Sequence, residues 1–405
     1  MNRKFFLFAV VAMILVAIAA CSKDELGVEV IVPQQEQMDS YRVSVDEALR
    51  SAETILRAGD RDTRSAARRV KSTELYVAKP ATRSNENTEV SFYLINYDDN
   101  AGYALVSTDE RTTPVYMYAE DGNITTEDLQ KDGPLKILMD EGISNYEAEI
   151  TNYDEPVDIY FPPGIDGHMG FVDGILCYVD IDSVYVNKGP YCPVKWFQDE
   201  PYNHYCNLNK VGCGPLAMGQ IMSFYKHPAS HNGYTFDWDS MTENQSFSSI
   251  YIDGALDVAR LLSEIGQAFP DIQYGVSLTT TSTESTKNVF TEFGYSCGDL
   301  EIYSASRIFE EIDENRPVWI RGDNNSSVGH AWVIDGYIIR SKTIEYRHTT
   351  PPYELFRRDV EYNEKYFAHN FGDVNISQIY YLVGDTSLPC NYNKYIFGGI
   401  HPIIE

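Results

Sequence analysis

The stretch VGCGPLAMGQIMSFYKHP, from Val211 to Pro228, predicts a buried helix with a reactive cysteine in its first turn. Glycines on both sides of Cys213 let main chain approach the sulfur closely, and Pro215 suits a first helical turn because its missing N–H costs nothing there. Apolar residues follow at helical spacing until Pro228. A thiol at a helix N-terminus meets the positive end of the dipole, which favours the nucleophilic thiolate. A merely buried cysteine is the alternative that this motif alone leaves open.

Length and composition describe a folded, acidic protein. The chain has 405 residues, a hydrophobic content of 43% and a formal net charge of −28. This length suits two or three domains with ample core material. The negative charge argues against nucleic-acid binding and against docking on anionic lipid.

The first residues have the pattern of an export signal. Arg3 and Lys4 precede an apolar run, Phe5 to Ala20, which is too short for an ordinary membrane span. Cys21 then ends a stretch that resembles the lipobox of bacterial lipoproteins, in which the cysteine becomes the acylated N-terminus. We therefore expect an exported outer-membrane lipoprotein that contacts the membrane through its lipid anchor only. Which face of that membrane carries it stays open, and a plain signal peptide is the alternative.

Periodicity divides the rest of the chain into two folded parts. The first is a small α+β unit, in which a helix at Val43–Leu56 precedes two strands, SFYLINY and YALVS, and a helix at Leu129–Thr151 follows them. Residues 153–188 predict a connection with short strand pieces. The second part begins near Gly189 with helices and continues with strands, which is an α+β order. Its predicted elements are helices at Cys213, Ala255–Phe269 and Thr283–Phe293, then strands at Pro317–Arg321, His330–Ile339, Thr343–Arg347, Val360–Asn370 and Gln378–Val383.

The cysteines and the short motifs give no sign of a bound metal. Cys192 and Cys206 could form a disulfide, but connectivity cannot be derived from the sequence. There is no C-x-x-C, no H-E-x-x-H and no EF-hand loop. We therefore expect neither a metal nor another cofactor.

A nucleophilic thiol needs a base and a group that orients the base. His330 stands at the start of a predicted strand, in SSVGHAWVIDGY, where the scaffold is rigid enough to hold a base. Asn370 is the candidate for orienting it, since its side-chain carbonyl can accept from a ring N–H. His369 is the rival base, but neighbours on a strand face opposite sides, so it cannot face the cleft if Asn370 does. Gln198 can donate an amide N–H to the oxyanion, with the Cys213 main-chain N–H as partner.

Several segments together resemble the streptopain family of papain-fold cysteine peptidases. They are VGCGPLAMGQIMSFYKHP, KWFQDEPYN and VGHAWVIDGY, with ARLLSEIGQAFPDIQYG and the closing YNKYIFGGIHP also similar. The order Gln, Cys, His, Asn is the papain order, and the likeness covers nearly all of the chain after Gly189. The segment SFYLINYDDNAGYALVSTDERTTPVYMYAEDG resembles the propeptide that keeps this family inactive as zymogens.

Carried over by position, the resemblance implies a role for each candidate. Cys213 is the nucleophile, His330 the general acid and base, Gln198 part of the oxyanion hole, and Asn370 the residue that orients the histidine. The family usually has Asn-Trp-Gly-Trp at the last site, where this chain has Asn-Phe-Gly-Asp, ending at Asp373. The segment before Asn370 is also longer than usual and predicts an extended hairpin beside the cleft.

The resemblance also implies the domain organisation. We expect an α+β papain-like cysteine peptidase domain, helical part first and antiparallel sheet second, preceded by a small α+β propeptide domain. A cut in the connection, for instance between about Asp182 and Pro190, is expected to free the enzyme from its propeptide and its anchor. The expected boundaries are signal peptide 1–20, tether 21–40, inhibitory propeptide domain 41–152, connecting or activation segment 153–188 and peptidase domain 189–405.

The leading hypothesis is a secreted, lipid-anchored cysteine endopeptidase made as a zymogen. It would cleave protein or peptide substrates through an acyl-enzyme, with its own propeptide as intramolecular inhibitor. A transglutaminase-like acyl transferase and an inactive surface binding lipoprotein are the alternatives. A serine hydrolase is not favoured although Gly294–Gly298 matches G-x-S-x-G, because that motif follows a strand and here a helical pattern precedes it.

Overall fold

The structure is a computed structural model of the chain. The predicted signal peptide, the tether with Cys21, and Cys390 lie outside the residues that it describes. In the described ranges no helix is long and apolar enough to cross a membrane. These ranges are 41–59, 68–78, 89–131, 133–153, 159–160, 169–172, 174–323, 329–352, 354–373, 376, 378–384 and 394–403.

The N-terminal part opens with a capped helix, α1, which spans Val45–Gly59. The main-chain N–H and the hydroxyl of Ser44 both donate to the Glu47 carboxylate, and the Glu47 N–H donates back to the Ser44 hydroxyl. This reciprocal pattern is a capping box. The helix predicted at Val43–Leu56 is therefore confirmed, with both ends shifted.

Four antiparallel strands and a second helix complete this part. The strands predicted in SFYLINY and YALVS are confirmed as β2 and β3, and a strand that was not predicted, β1, precedes them. Helix α2 spans Pro134–Thr151 and begins later than the predicted Leu129, because Gly133 and Pro134 set its start. The strands are β1 Val70–Ala78, β2 Val90–Tyr97, β3 Tyr103–Ser107 and β4 Val115–Ala119.

The segment predicted as a connection contains more strand than expected. It holds β5 (Ile159–Tyr160), β6 (Met169–Val172) and the long β7 (Ile175–Lys188). β7 pairs antiparallel with β13 (His330–His348), from Cys177 opposite His348 to Lys188 opposite Tyr337. Most side chains of β7 are exposed, so its sequence lacks the clear alternation by which a half-buried strand is recognised.

The C-terminal part places helices before most of its strands, which confirms the predicted α+β order. Its helices are α3 Cys213–Tyr225, α4 Trp238–Glu243, α5 Ala255–Ala268, α6 Thr286–Glu292 and α7 Ala305–Asp313. Besides β13, its strands are β8 Ser230–His231, β9 Tyr234–Thr235, β10 Tyr295–Ser296, β11 Leu300–Ile302, β12 Val318–Gly322, β14 Leu355–Asn370, β15 Gln378–Leu382, β16 Tyr395–Phe397 and β17 His401–Pro402.

One large sheet joins the two parts. Among the described residues its strand order is β1-β2-β3-β4-β15-β14-β13-β12-β16-β11, with β7, β6 and β5 attached along β13. The strands predicted at His330–Ile339 and Thr343–Arg347 are one continuous strand, β13, which forms with β14 the extended hairpin that the sequence predicts. β4 of the N-terminal part pairs directly with β15 of the C-terminal part.

Two hydrophobic cores lie against this sheet. The first is shared, because side chains of α1, α2 and β1–β4 pack in one cluster with those of α7 and the C-terminal strands. The second surrounds α3 and α5 and contains Trp196, Trp319 and Val333. The side chains that α3 buries are almost all apolar, so the helix is held by packing on several sides.

The described cysteines are free thiols, and Cys192 and Cys206 are both buried and unpaired with each other. Cys297, in the G-x-S-x-G motif, is also buried, and burial raises its pKa to about 12. Helix α6 precedes this motif and Gly294 has a φ of 80° just after the helix. A nucleophile elbow is thereby excluded at this site.

Candidate active site

Helix α3 begins at Cys213 itself. Its N-cap is Gly212, whose φ of 100° lies in the region that favours glycine. A Cβ at this position would come within 3.0 Å of the Thr279 side chain, so a larger residue would also crowd Thr279. The thiol is therefore held at the positive end of a helix that is fixed by the second core.

The thiol and the ring of His330 form a coupled pair. Burial alone raises the pKa of Cys213, but the charge of His330 and hydrogen bonds from His330 and from the main chain of Ala331 and Gly214 outweigh burial and lower it. Burial likewise opposes a charge on His330, and the nearby thiolate outweighs it, so the pKa of His330 is raised. Both shifts favour a thiolate beside an imidazolium.

A main-chain carbonyl holds the other side of the histidine ring. Nε2 of His330 lies 3.3 Å from the carbonyl oxygen of Phe371, which leaves Nδ1 as the ring nitrogen available to the sulfur. The ring also stacks on Trp332, with 6.1 Å between the ring centroids. His330 is thus oriented from two directions, by a carbonyl and by an indole.

Asn370, expected to orient this ring, makes its hydrogen bonds elsewhere. Its amide donates to the carbonyl of Val194 at 2.8 Å, and its oxygen accepts from the Gln220 side chain at 2.8 Å. The expected contact is therefore corrected: the carbonyl of Phe371 lies against the ring, because both ends of the fully buried Asn370 amide are already engaged. A catalytic role for Asn370 stays a prediction, and this geometry makes it an indirect one.

His369 faces away from the cleft, as the alternation along the strand predicts. Its Nδ1 accepts from the indole N–H of Trp332 at 2.9 Å. Burial, together with the charge of Lys394, lowers its pKa to about 3. A histidine that is buried, stays neutral and accepts from Trp332 cannot serve as the base for Cys213.

Gln198 is brought near the nucleophile through its main chain. Its carbonyl accepts from the N–H of Val211 at 3.1 Å, two residues before Cys213. Gln220 was not singled out in the sequence, although its amide also donates to the carbonyl of Trp196 at 3.1 Å and so helps to fix the Gln198 segment. Gln220 could have been identified in the sequence because it is a glutamine within a mostly apolar helix.

A cleft of about 160 Å³ opens beside the thiol. One set of lining residues comes from the loop 278–283, which is rich in threonine, and another from β12 and the start of β13, including Trp319 and Arg321. Of the described residues that line it, none belongs to the N-terminal part. The arrangement offers an activated thiol, a proton-transfer group and a groove for an extended substrate.

Comparisons with known families agree with this geometry. Residues 196–381 match the model described as the Peptidase C10 family, and residues 40–143 match the Spi protease inhibitor model. The first match contains all four predicted site residues, and the second ends within α2.

Individual relatives are distant. The thiol protease/hemagglutinin PrtT of Porphyromonas gingivalis is 24% identical over 296 residues, which cover 63% of this chain and 32% of that protein. A fragment of Prevotella intermedia prointerpain A is 17% identical, with a TM-score of 0.49, and covers 82% of this chain and 100% of that one. Active interpain A of the same organism is 19% identical, with a TM-score of 0.38, over 53% and 95% of the two chains.

The two family matches follow each other along the chain in the order of an inhibitor and its enzyme. The inhibitor match covers the part that supplies β1–β4, and the peptidase match covers α3, the cleft and the strands that carry His330 and Asn370. Residues 196–381 are therefore similar to the Peptidase C10 family, and a segment similar to the Spi protease inhibitor precedes them at residues 40–143.

Proposed function

We propose that this chain is a lipid-anchored cysteine endopeptidase made as a zymogen. The observation that carries the proposal is the coupled pair of Cys213 and His330 at the floor of an open cleft, in which each group shifts the pKa of the other toward the charged form. Activity is expected between the lowered thiol pKa and the raised histidine pKa, since acid removes the thiolate and alkali removes the proton that the leaving amine needs.

The reaction follows from these two groups. The thiolate attacks the carbonyl carbon, a C–S bond forms, and the oxyanion collapses with cleavage of the C–N bond as His330 protonates the leaving amine. Water then attacks the acyl-enzyme and gives its proton to the histidine, the C–S bond breaks, and the acid leaves. Phe371 and Trp332 keep the ring in position for both proton transfers.

The first test removes the nucleophile. Cys213→Ala should abolish hydrolysis of fluorogenic peptides and labelling by a thiol-reactive peptide electrophile, while Cys297→Ala, a matched control at a buried thiol, should leave turnover within a few-fold. Equal hydrolysis by wild type and Cys213→Ala would rule out the assignment. Incorporation of an amine in place of water would instead indicate an acyl transferase.

Gln198 is proposed as a donor to the oxyanion, with the main-chain N–H of Cys213. Gln198→Ala should lower kcat about a hundredfold, the scale for loss of one such donor. Asn370→Ala should cost less turnover, since its amide acts through the Gln198 segment and α3. If Asn370→Ala were silent while His369→Ala abolished activity, the choice between these neighbours would be wrong.

Latency is proposed to act through the shared sheet. The N-terminal part contacts β15, which pairs with β14, and the end of β14 leads to Phe371 beside the His330 ring. A restraint on β15 and β14 can therefore fix the position of the active-site residues although the described residues of the N-terminal part do not line the cleft. Labelling of Cys213 by the electrophile should therefore be slow in the precursor and fast after processing, and equal rates would contradict the proposal.

Anchoring through Cys21 is supported by the sequence pattern alone. We expect the precursor in the membrane fraction, and Cys21→Ser in the soluble one. Because the two parts share one core, a cut by itself should leave them associated until the propeptide dissociates. A fully active enzyme that keeps Cys21 covalently attached would overturn this part of the proposal.

A further inference from the structure

Arg321 places a positive charge in the cleft of a strongly acidic protein. It lies on β12 two residues after Trp319, so both side chains face the same side of the sheet. Trp319 reaches the start of α3, where its indole N–H donates to the carbonyl of Gly214 at 3.5 Å. Among the described residues that line the cleft, Arg321 is the one lysine or arginine, and no lining residue is acidic.

The register of the sheet puts this charge close to the scissile bond. Arg321 pairs with Ala331, and Gly322 pairs with His330. Paired residues of antiparallel strands are about 5 Å apart, and an extended substrate advances about 3.3 Å per residue. The guanidinium can therefore reach a side chain within two residues of the bond that Cys213 attacks.

The guanidinium is also fixed in place. Its Nη1 lies 3.2 Å from a carboxylate oxygen of Asp323, which is buried, and the side chain of Arg321 keeps 29% of its surface exposed. The group lies against Gly329, where a Cβ would come within 2.8 Å of Nη2. Asp323 thus binds one side of the Arg321 guanidinium, and the remaining N–H groups of the guanidinium can donate to a second carboxylate.

We propose that Arg321 makes this peptidase select substrates with a carboxylate within two residues of the scissile bond, from an aspartate or glutamate side chain. This rests on the proposed function, since it assumes that Cys213 attacks a peptide bound in this cleft. The loop 278–283 contributes threonine hydroxyls and a leucine to the cleft. Apart from the pair of Cys213 and His330, Arg321 is the charged group that a substrate side chain would meet among the described lining residues.

The test uses matched internally quenched peptides that carry Glu or Gln at one position, scanned from three residues before to three residues after the scissile bond. For wild type we expect a Glu-over-Gln preference in kcat/KM of about tenfold at one position, mainly in KM, because the contact is a partly exposed, charge-assisted hydrogen bond. A peptide pair that ends in a free acid or an amide distinguishes a terminal carboxylate, whose selection over the side chain would overturn the proposal.

Four variants test whether the Glu-over-Gln preference depends on Arg321. Arg321→Gln should reduce the preference to about one or reverse it, and Arg321→Gln/Asp323→Asn, which also removes the charge of the Asp323 carboxylate, should give about one. Asp323→Asn should raise the preference above that of wild type, since the guanidinium is then less neutralised. Arg347→Gln, which removes an exposed arginine farther along β13, controls for net charge and should keep the wild-type ratio.

Two failures are distinguishable. Hydrolysis with a ratio of one at every position, or a preference that survives Arg321→Gln and the double variant, would overturn the role of Arg321 alone. No hydrolysis of any peptide, with no labelling of Cys213, would overturn the proposed function instead. Active-site titration corrects all rates for the folded, processed fraction.

Discussion

Among the described residues, strands ahead of α3 pair with strands of the C-terminal part at two junctions, which differ in kind. β7 lies beside β13 over a long ladder, while β4 meets β15 only where Tyr118 and Met117 oppose Tyr380 and Tyr381. Most side chains of β7 face solvent, whereas those at the β4 junction are buried. Main-chain hydrogen bonds hold the junction of β7 with β13, and side-chain contacts hold the junction of β4 with β15.

The side-chain contacts at the β4 junction are specific. Tyr118 stacks on Tyr380 with ring centroids 4.8 Å apart, and the hydroxyl of Tyr366 donates to the carbonyl of Val115 at 2.8 Å. Helix α2 adds an ion pair between Glu141 and the buried Lys394 at 2.7 Å. Such an interface can be lost without breaking a long ladder, so the inhibitor segment can leave while β7 stays.

The largest expected effect concerns the cut that we propose matures the enzyme. A peptidase binds the chain in extended form through its main-chain groups, and in β7 these groups already pair with β13. The cut between about Asp182 and Pro190 that the sequence suggested therefore requires β7 to detach first. We expect the mature chain to begin before Met169 and to keep β6 and β7.

N-terminal sequencing of the self-processed enzyme measures this directly. A start between residues 182 and 190 would contradict the comparison, because it would show that the long ladder is the junction that opens. A shortened enzyme that begins at Gly189 tests the same point from the other side, and we expect it to lose activity and stability together.

The next effect tests whether side chains hold the β4 junction. Glu141→Gln leaves Lys394, whose side chain is 3% exposed, without its counter-ion, and should destabilise the precursor by about 3 kcal/mol. The processed enzyme, once separated from its propeptide, lacks Glu141 and should match wild type. Denaturant unfolding of both forms gives the comparison.

Asp140→Asn provides the matched control in the same helix. Asp140 pairs with Lys136 within α2, and Lys136 is 31% exposed where Lys394 is 3% exposed, so the loss of this pair should cost no more than about 0.5 kcal/mol. Equal losses in the two variants would mean that Glu141 stabilises α2 rather than the junction.

The two junctions also show how far the sequence could predict the molecule. Cys213 and His330 lie in local motifs, at a helix start and a strand start, and the structure brings them together as expected. β7 was missed because its partner lies far along the chain and its side chains carry little alternation. The contact between the Phe371 carbonyl and His330 was not predicted, because every residue has a main-chain carbonyl and the residue type does not reveal which one is used. The sequence pointed instead to the Asn370 side chain, which makes its hydrogen bonds elsewhere.

The smallest predicted effect is a pH dependence that belongs to the β4 junction. His369 lies in a cavity that α2 helps to close with Leu138 and Glu141. Burial and the charge of Lys394 lower its pKa to about 3, against about 6.5 in an unfolded chain. The unfolded state therefore binds more protons, and this contribution to stability is present above pH 6.5 and is lost as the pH falls toward 3.

Between pH 7 and pH 5 this one group should cost the precursor about 2 kcal/mol of unfolding free energy. His369→Gln keeps an acceptor for the indole of Trp332 but does not titrate, so the difference between wild type and variant isolates the effect of His369 from that of other acids. His401→Gln, at an exposed histidine, should follow wild type. In processed enzyme freed of its propeptide, α2 no longer covers His369, and the difference between wild type and His369→Gln should shrink. An equal difference in both forms would show that the catalytic domain alone buries His369, and that the β4 junction does not control its titration.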